Sequence, residues 1–235
     1  VILADEDFAL GGRCLAERRT IDGQPAADWV AQAVAELRSL PSVRLLPRTT
    51  VFGVYDDRVY GAVERVNDHL PVPPEFEPRQ RAWRIVATQT VLASGAIERP
   101  LVFGNNDLPG VMLAGAVRTY LNRYAVLPGR RAVVFTDNDE GWTTASDLAV
   151  AGAQVAAVVD SRAPVVASDI ARRFPDVEAI AGQVTRARGG RHVEAIEVTT
   201  HAGGSRRVEC DLVAMSGGWS PTLHLTSHKG NRPRW

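Results

Sequence analysis

The chain has 235 residues, 45% of them hydrophobic and 23% charged, which suits one good core or two small ones and excludes a disordered segment. Lys plus Arg and Asp plus Glu each number 27, so the net charge is zero and no overall field recruits nucleic acid or an anionic membrane. The two cysteines, Cys14 and Cys210, form no CxxC pair, and no apolar run reaches membrane-spanning length. These facts exclude a disulfide framework and a dithiol redox centre, and they point to a cytoplasmic protein with no nucleic-acid or membrane partner.

Val1-Ile2-Leu3-Ala4 reads as a buried strand from its first residue, with no cap before it, so the fold is expected to be incomplete at the N-terminus. Acidic residues end this strand, and Gly11-Gly12 lets the following loop turn tightly. Pro25 suits a first helical turn, and Val30, Ala33, Val34, Leu37 and Leu40 recur at helical spacing, predicting a helix over 25–39. β-formers at 43–46 and 50–55, and a turn at Asp56-Asp57 into Val59-Tyr60, predict a strand-rich stretch. Pro71, Pro73, Pro74 and Pro78 predict an extended, mobile surface loop before a strand at 83–86.

Residues 91–96 read as a short apolar strand running into small residues, after which Pro100 and Pro109 oppose helix. A helix over 114–124 is followed by a β-α-β unit: strand 132–136, helix 142–151, strand 154–160. Beyond it come a strand near 178–181, a hairpin over 184–200 turning at Gly189-Gly190, and a strand at 212–215 leading into Ser216-Gly217-Gly218-Trp219-Ser220-Pro221. The polar tail over 227–235 has no periodicity.

Four constellations carry chemistry. A carboxylate ending a strand of a dinucleotide-binding fold accepts the ribose hydroxyls through charge-assisted hydrogen bonds. Asp5 is the expected acceptor here, ahead of Glu6 and Asp7, with Gly11-Gly12 and Arg13 beyond it. The same acids would also serve to solvate a strand end. Ala93-Ser94-Gly95-Ala96 resembles the small-residue strand end of disulfide-reductase-like flavoproteins, where backbone approaches the dinucleotide; an ordinary buried strand ending in a glycine turn gives the same pattern. In the β-α-β unit, Thr136-Asp137-Asn138-Asp139-Glu140-Gly141-Trp142 has one glycine and three carboxylates where G-x-G-x-x-G is needed, which is hostile to pyrophosphate, although Asp160 still ends the next strand where a ribose-binding acid belongs. Met215 to Pro221 resembles the closing strand end of the same superfamily, with backbone contact near a nucleotide expected at Gly217 and Gly218.

The expected cofactor-binding set is Asp5, Glu6, Gly11, Gly12, Arg13, Val51, Ala93, Ser94, Gly95, Gly217 and Gly218. His69, His192, His201, His224 and His228 are scattered, so neither a metal site nor a catalytic residue is expected.

Longer runs carry a closer likeness. Ile21-Asp22-Gly23-Gln24-Pro25, Pro47-Arg48-Thr49-Thr50-Val51-Phe52-Gly53, Gly95-Ala96-Ile97-Glu98-Arg99-Pro100-Leu101-Val102-Phe103, Gly110-Val111-Met112-Leu113 and Arg118-Thr119-Tyr120-Leu121-Asn122-Arg123-Tyr124 resemble the alpha subunit of heterotetrameric sarcosine oxidase across essentially the whole chain. The resemblance implies an α/β, FAD/NAD(P)-binding, two-domain Rossmann-like fold of the disulfide-reductase type. Its expected parts are a first dinucleotide-binding domain over 1–127 with a β-rich insertion at 43–90, a degenerate second domain over 128–215, and a return to the first domain with a tail over 216–235. It further implies NAD in this subunit, FAD and FMN elsewhere in a complex with beta, gamma and delta subunits, and demethylation of sarcosine to glycine with the one-carbon unit passed to tetrahydrofolate. Related subunits occur in opine, proline and cyanide-forming dehydrogenases, and a self-contained NAD(P)H/FAD oxidoreductase or a purely structural module stay open as alternatives.

Overall fold

The computed structural model describes residues 1–162, 175, 177–230 and 232, so parts of the expected second domain (163–174 and 176) and of the tail (231 and 233–235) lie outside the described residues. The chain forms two compact units: Val1–Cys14, Arg19–Gly95 and Pro221–Trp235 make unit 1, while Leu15–Arg18 and Ala96–Ser220 make unit 2.

In unit 1, β1 (Ile2–Ala4) is followed by the short pair β2 (Thr20–Ile21) and β3 (Gln24–Pro25), then by α1 (Ala26–Ser39) and β4 (Arg44–Leu46). Strands β1 and β4 are parallel, Leu3 opposite Leu45, as a strand-helix-strand crossover requires. Helix α1 buries Ala26 and Val30, and it ends at Leu40 (φ −85°, ψ 116°) because Pro41 disfavours helical backbone in the residue before it. Then β5 (Thr49–Tyr55), β6 (Val59–Glu64) and β7 (Arg81–Val86) form an antiparallel meander. Its first turn is the predicted one, with Asp57 and Arg58 at positive φ (57° and 59°). The Pro-rich loop before β7 is exposed and closed at its stem by Asn67, whose side chain donates to Glu77 Oε2 at 3.0 Å and Pro78 O at 3.1 Å.

The strand expected over 91–96 is a correction. Residues 91–95 are irregular and exposed, with Val91 89% accessible, and the next strand, β8 (Ala96–Glu98), starts only at Ala96. Apolar propensity makes a strand only where a ladder partner exists, and no described strand of unit 1 lies hydrogen-bonded beside 91–95.

Unit 2 continues with β9 (Val111–Leu113) and α2 (Ala114–Arg118), which widens into a π-turn over 119–123. Next come β10 (Arg131–Thr136), α3 (Asp139–Val150), β11 (Gln154–Asp160), β12 (Ala179–Arg188), β13 (Ala195–Thr200), β14 (Ser205–Glu209), β15 (Leu212–Ser216) and β16 (Trp219–Pro221). Seven strands form one mixed sheet in the order β14-β13-β12-β11-β10-β15-β9. The central strands are parallel and buried on both faces, which is why β10, β11 and β15 read as unbroken apolar runs. One face packs Phe103, Val133, Phe135, Val159 and Val213; the other packs Val117, Trp142, Leu148, Val158 and Ala214.

Three further boundaries differ from expectation. Helix α3 begins at Asp139 rather than 142, because the Asn138 side chain accepts the Glu140 N–H at 2.9 Å and caps it. The strand expected near 178–181 and the first arm of the hairpin expected over 184–200 are one strand, β12. The polar edge strand β14 gave no apolar alternation, since Val208 is its one buried residue. In unit 1, α4 (His224–Ser227) closes the described chain near its end.

Candidate functional site

In unit 1 the end of β1 is held by main-chain hydrogen bonds: Asp5 N–H donates to Leu46 O at 3.0 Å, and Thr49 N–H donates to Asp5 O at 2.8 Å. Two side-chain turns follow. Asp5 Oδ1 accepts the Asp7 N–H at 2.9 Å and Asp7 Oδ1 accepts the Ala9 N–H at 3.2 Å, leading the chain to Gly11 and Gly12 at φ 136° and 52°. Asp5 Oδ2 takes no hydrogen bond from any described residue, so this half-buried carboxylate keeps acceptor capacity. Arginines bracket the acidic turn: Arg65 Nη2 donates to Glu6 O at 2.7 Å, and the Arg48 guanidinium stands 5.4 Å over the Phe8 ring. Glu6 and Arg13 are exposed, and Val51 is half-buried in β5.

The second stretch, Ala93-Ser94-Gly95, is exposed and tied to another segment. Ser94 Oγ donates to Thr222 O at 2.9 Å, and Thr222 N–H donates to Gly95 O at 3.0 Å. No hydrogen bond among the described residues joins this stretch to the Asp5 turn. Gly217 and Gly218 lie in unit 2, where Gly217 N–H donates to Arg99 O at 2.9 Å and Arg99 N–H donates to Gly218 O at 2.8 Å. A Cβ on Gly217 would stand 2.8 Å from Arg99 O, so close backbone approach requires glycine there.

The β-α-β unit of unit 2 is organised differently. Asp160 is fully buried, and Arg162 grips it by Nε to Oδ1 at 3.0 Å and Nη2 to Oδ2 at 2.7 Å, while Trp142 Nε1 donates to Oδ2 at 3.0 Å. Burial pushes the Asp160 carboxyl upward, but the hydrogen bonds from Arg162 and Trp142 outweigh it and hold the group below its ordinary value. The same contact raises the Arg162 guanidinium further above its ordinary range.

A buried charge cluster in unit 2 was not foreseen. Arg118 on α2 donates from Nε to Asp147 Oδ2 at 2.9 Å and from Nη1 to Glu140 Oε2 at 2.8 Å, with Glu17 Oε1 at 3.8 Å. Asn122 adds hydrogen bonds to Asp147 Oδ2 and Ala16 O, both 2.9 Å. Arg118 and Asn122 stand in a run that carries the family likeness, but no motif or spacing marks them as partners of Glu17, Glu140 and Asp147, which come from other segments. His228 Nδ1 accepts the Val54 N–H at 3.3 Å, a structural contact.

No family model matches the chain. It is 50% identical to the sarcosine oxidase alpha subunit of Rhizobium meliloti (strain 1021) over 236 residues, covering 100% of this chain and 23% of that protein. Along its whole length, this chain is similar to a sarcosine oxidase alpha subunit. It spans about a quarter of the length of such relatives. An opine oxidase subunit of Rhizobium meliloti is 25% identical over 88% of the chain and 42% of its own length. Among solved structures, L-proline dehydrogenase from P. horikoshii superposes with a TM-score of 0.71 at 20% identity, over 100% of this chain and 40% of that one. T. acidophilum thioredoxin reductase gives 0.70 at 13% identity, over 95% and 71%. The fold is therefore the two-domain α/β fold of disulfide-reductase-type oxidoreductases, as the sarcosine oxidase likeness implied.

Proposed function

We propose that this chain is the dinucleotide-holding part of the alpha subunit of a sarcosine-oxidising complex. The observation that carries the reading is the 50% identity over the whole chain to a sarcosine oxidase alpha subunit. The complex demethylates sarcosine to glycine, passes the one-carbon unit to tetrahydrofolate, and works in the cytoplasm with beta, gamma and delta partner subunits. NAD is bound by unit 1, and FAD and FMN belong to other parts of the assembly.

The residues present fit that role. Asp5 offers an uncommitted carboxylate oxygen at a strand end, which suits ribose hydroxyls, and the Gly11-Gly12 turn beside it leaves room for backbone approach. Glu6, Arg13 and Val51 in unit 1 and Ala93-Ser94-Gly95 complete the expected lining, and Gly217-Gly218 belongs to the same set by sequence. Among the described residues, no three His, Cys, Asp or Glu side chains gather as a metal site would require, and no helix is long and apolar enough to cross a membrane.

Two measurements test the reading. Asp5→Ala should lower the NAD content of the purified intact protein; unchanged content removes Asp5 from the site. Residues 1–235 expressed with and without a cognate beta subunit should show sarcosine-dependent peroxide formation only in the pairing. Turnover by the chain alone would favour a self-contained oxidoreductase. The 25% identity to an opine oxidase supports a second reading, an opine-type amine as substrate. Comparing sarcosine with an opine as electron donor for the intact complex decides between them.

A further inference from the structure

We infer that the strand-helix-strand half of unit 2 carries its own internal ligand, with Arg162 in the place of a ribose and Asn138 in the place of a phosphate, so that it folds closed and takes no dinucleotide. In such a half, the acid ending the second strand accepts ribose hydroxyls, and the first N–H groups of the helix face the pyrophosphate. Here the acid is occupied by Arg162, and one of the first helix N–H groups, that of Glu140, is taken by Asn138 Oδ1.

A carboxylate offers about four acceptor sites. Asp160 uses all of them: Oδ1 accepts the Arg162 main-chain N–H at 3.0 Å and Arg162 Nε at 3.0 Å, while Oδ2 accepts Arg162 Nη2 at 2.7 Å and Trp142 Nε1 at 3.0 Å. No capacity remains for a hydroxyl. Arg162 reaches across to α3 as well, donating from Nη1 to Asp139 Oδ1 at 2.9 Å. At the helix end, Asn138 Oδ1 takes the Glu140 N–H, and Asn138 Nδ2 is anchored on Ser216 O at 3.1 Å and Ser216 Oγ at 3.2 Å. Thr136 Oγ1 closes the turn by donating to Asn138 O at 2.8 Å. Gly141 keeps the one feature the fold itself needs, because a Cβ there would run into the Thr136 side chain as α3 crosses β10.

The contrast with unit 1 gives the inference its direction. Asp5 has one oxygen engaged once, by a neighbouring N–H, whereas Asp160 is saturated and sealed. The charged groups facing Asp160 are Arg162 on its own turn and, through Arg162, Asp139 on α3; Trp142 adds a neutral donor, and Thr136 and Ala181 flank it in the sheet. A ribose could reach Asp160 only by breaking a two-point arginine-carboxylate pair.

The test uses the intact protein, Arg162→Ala and the paired variant Asp160→Asn/Arg162→Met, which removes both charges at similar volume. Thermal melting from pH 7 to pH 3 is read beside calorimetric titration with NAD and with NADP. Arg162→Ala strands a buried carboxylate and should lower the melting temperature at pH 7 by ~10 °C. Because Asp160 is held below its ordinary pKa, the pairing stabilises above about pH 4 and fades as the pH falls through the folded value, so the gap between wild type and Arg162→Ala narrows toward pH 3. The paired variant should recover most of the loss, and the number of dinucleotide equivalents should be the same in all three. Wild-type melting for Arg162→Ala at pH 7 would overturn the inference. So would loss of NAD or NADP affinity in Arg162→Ala or the paired variant without a melting change, because Arg162 would then be holding the nucleotide. The paired variant keeps the question answerable if Arg162→Ala does not fold.

Discussion

Removing the arginine of the buried cluster gives the sharpest test of what holds unit 2 together. Arg118 joins α2 to α3, with its side chain and those of Asp147 and Glu17 each 7% exposed, whereas Glu140 is 40% exposed. Arg118→Ala leaves Asp147 buried without its arginine partner and removes a cation 3.8 Å from Glu17. Breaking a buried pair by deleting one partner costs about 3–5 kcal/mol, far above the ~0–1 kcal/mol of an exposed pair. At roughly 3–5 °C per kcal/mol for a unit of this size, the melting temperature should fall by ~10–20 °C. Differential scanning calorimetry of the intact protein, with urea unfolding in parallel, measures both quantities. The geometry also fixes an order: Arg118→Ala should be the most damaging, Asp147→Asn intermediate because the amide oxygen still accepts from Arg118 and Asn122 but the buried negative charge opposite Arg118 is gone, and Glu140→Gln nearly silent. A fall of less than ~3 °C for Arg118→Ala, or Glu140→Gln as harmful as Asp147→Asn, would show that water reaches the cluster and that the burial argument is wrong.

Two further outcomes follow from the packing. Leu148 is fully buried between α3 and the sheet, so Leu148→Ala should cost about 2–5 kcal/mol in urea unfolding. Burial, with Asp211 beside it, pushes the Cys210 thiol up to about 12, so at pH 8 a maleimide should label Cys14 and spare Cys210 in peptide mapping. Equal labelling of both would mean that unit 2 opens readily.

Much of the core was legible because its signals are local and periodic. The parallel strands β10, β11 and β15 are buried on both faces, so each announces itself as an unbroken apolar run, and the helix between the first two follows from the turn that separates them. The likeness to a sarcosine oxidase alpha subunit was equally readable, since whole runs such as Gly95 to Phe103 carry it. What misled was context. Residues 91–95 have strand composition, yet with no partner ladder in unit 1 they stay irregular, and the hydrogen bonds of Ser94 and Gly95 go to Thr222, far away in sequence.

The sequence alone determined that two α/β halves are present, that an acid stands at each strand end, and that the turn at 136–142 lacks the glycines a pyrophosphate needs. Tertiary structure decided what those acids do. Asp5 and Asp160 look alike in sequence, each an aspartate ending an apolar strand, but one keeps an oxygen uncommitted while the other is saturated by Arg162 and Trp142. The same holds for Arg118, whose partners Glu17, Glu140 and Asp147 lie up to 101 positions away, 118 minus 17. Hydrogen-bond saturation and charge pairing depend on distances of about 3 Å between atoms, and residue order cannot specify those until the backbone has folded them together.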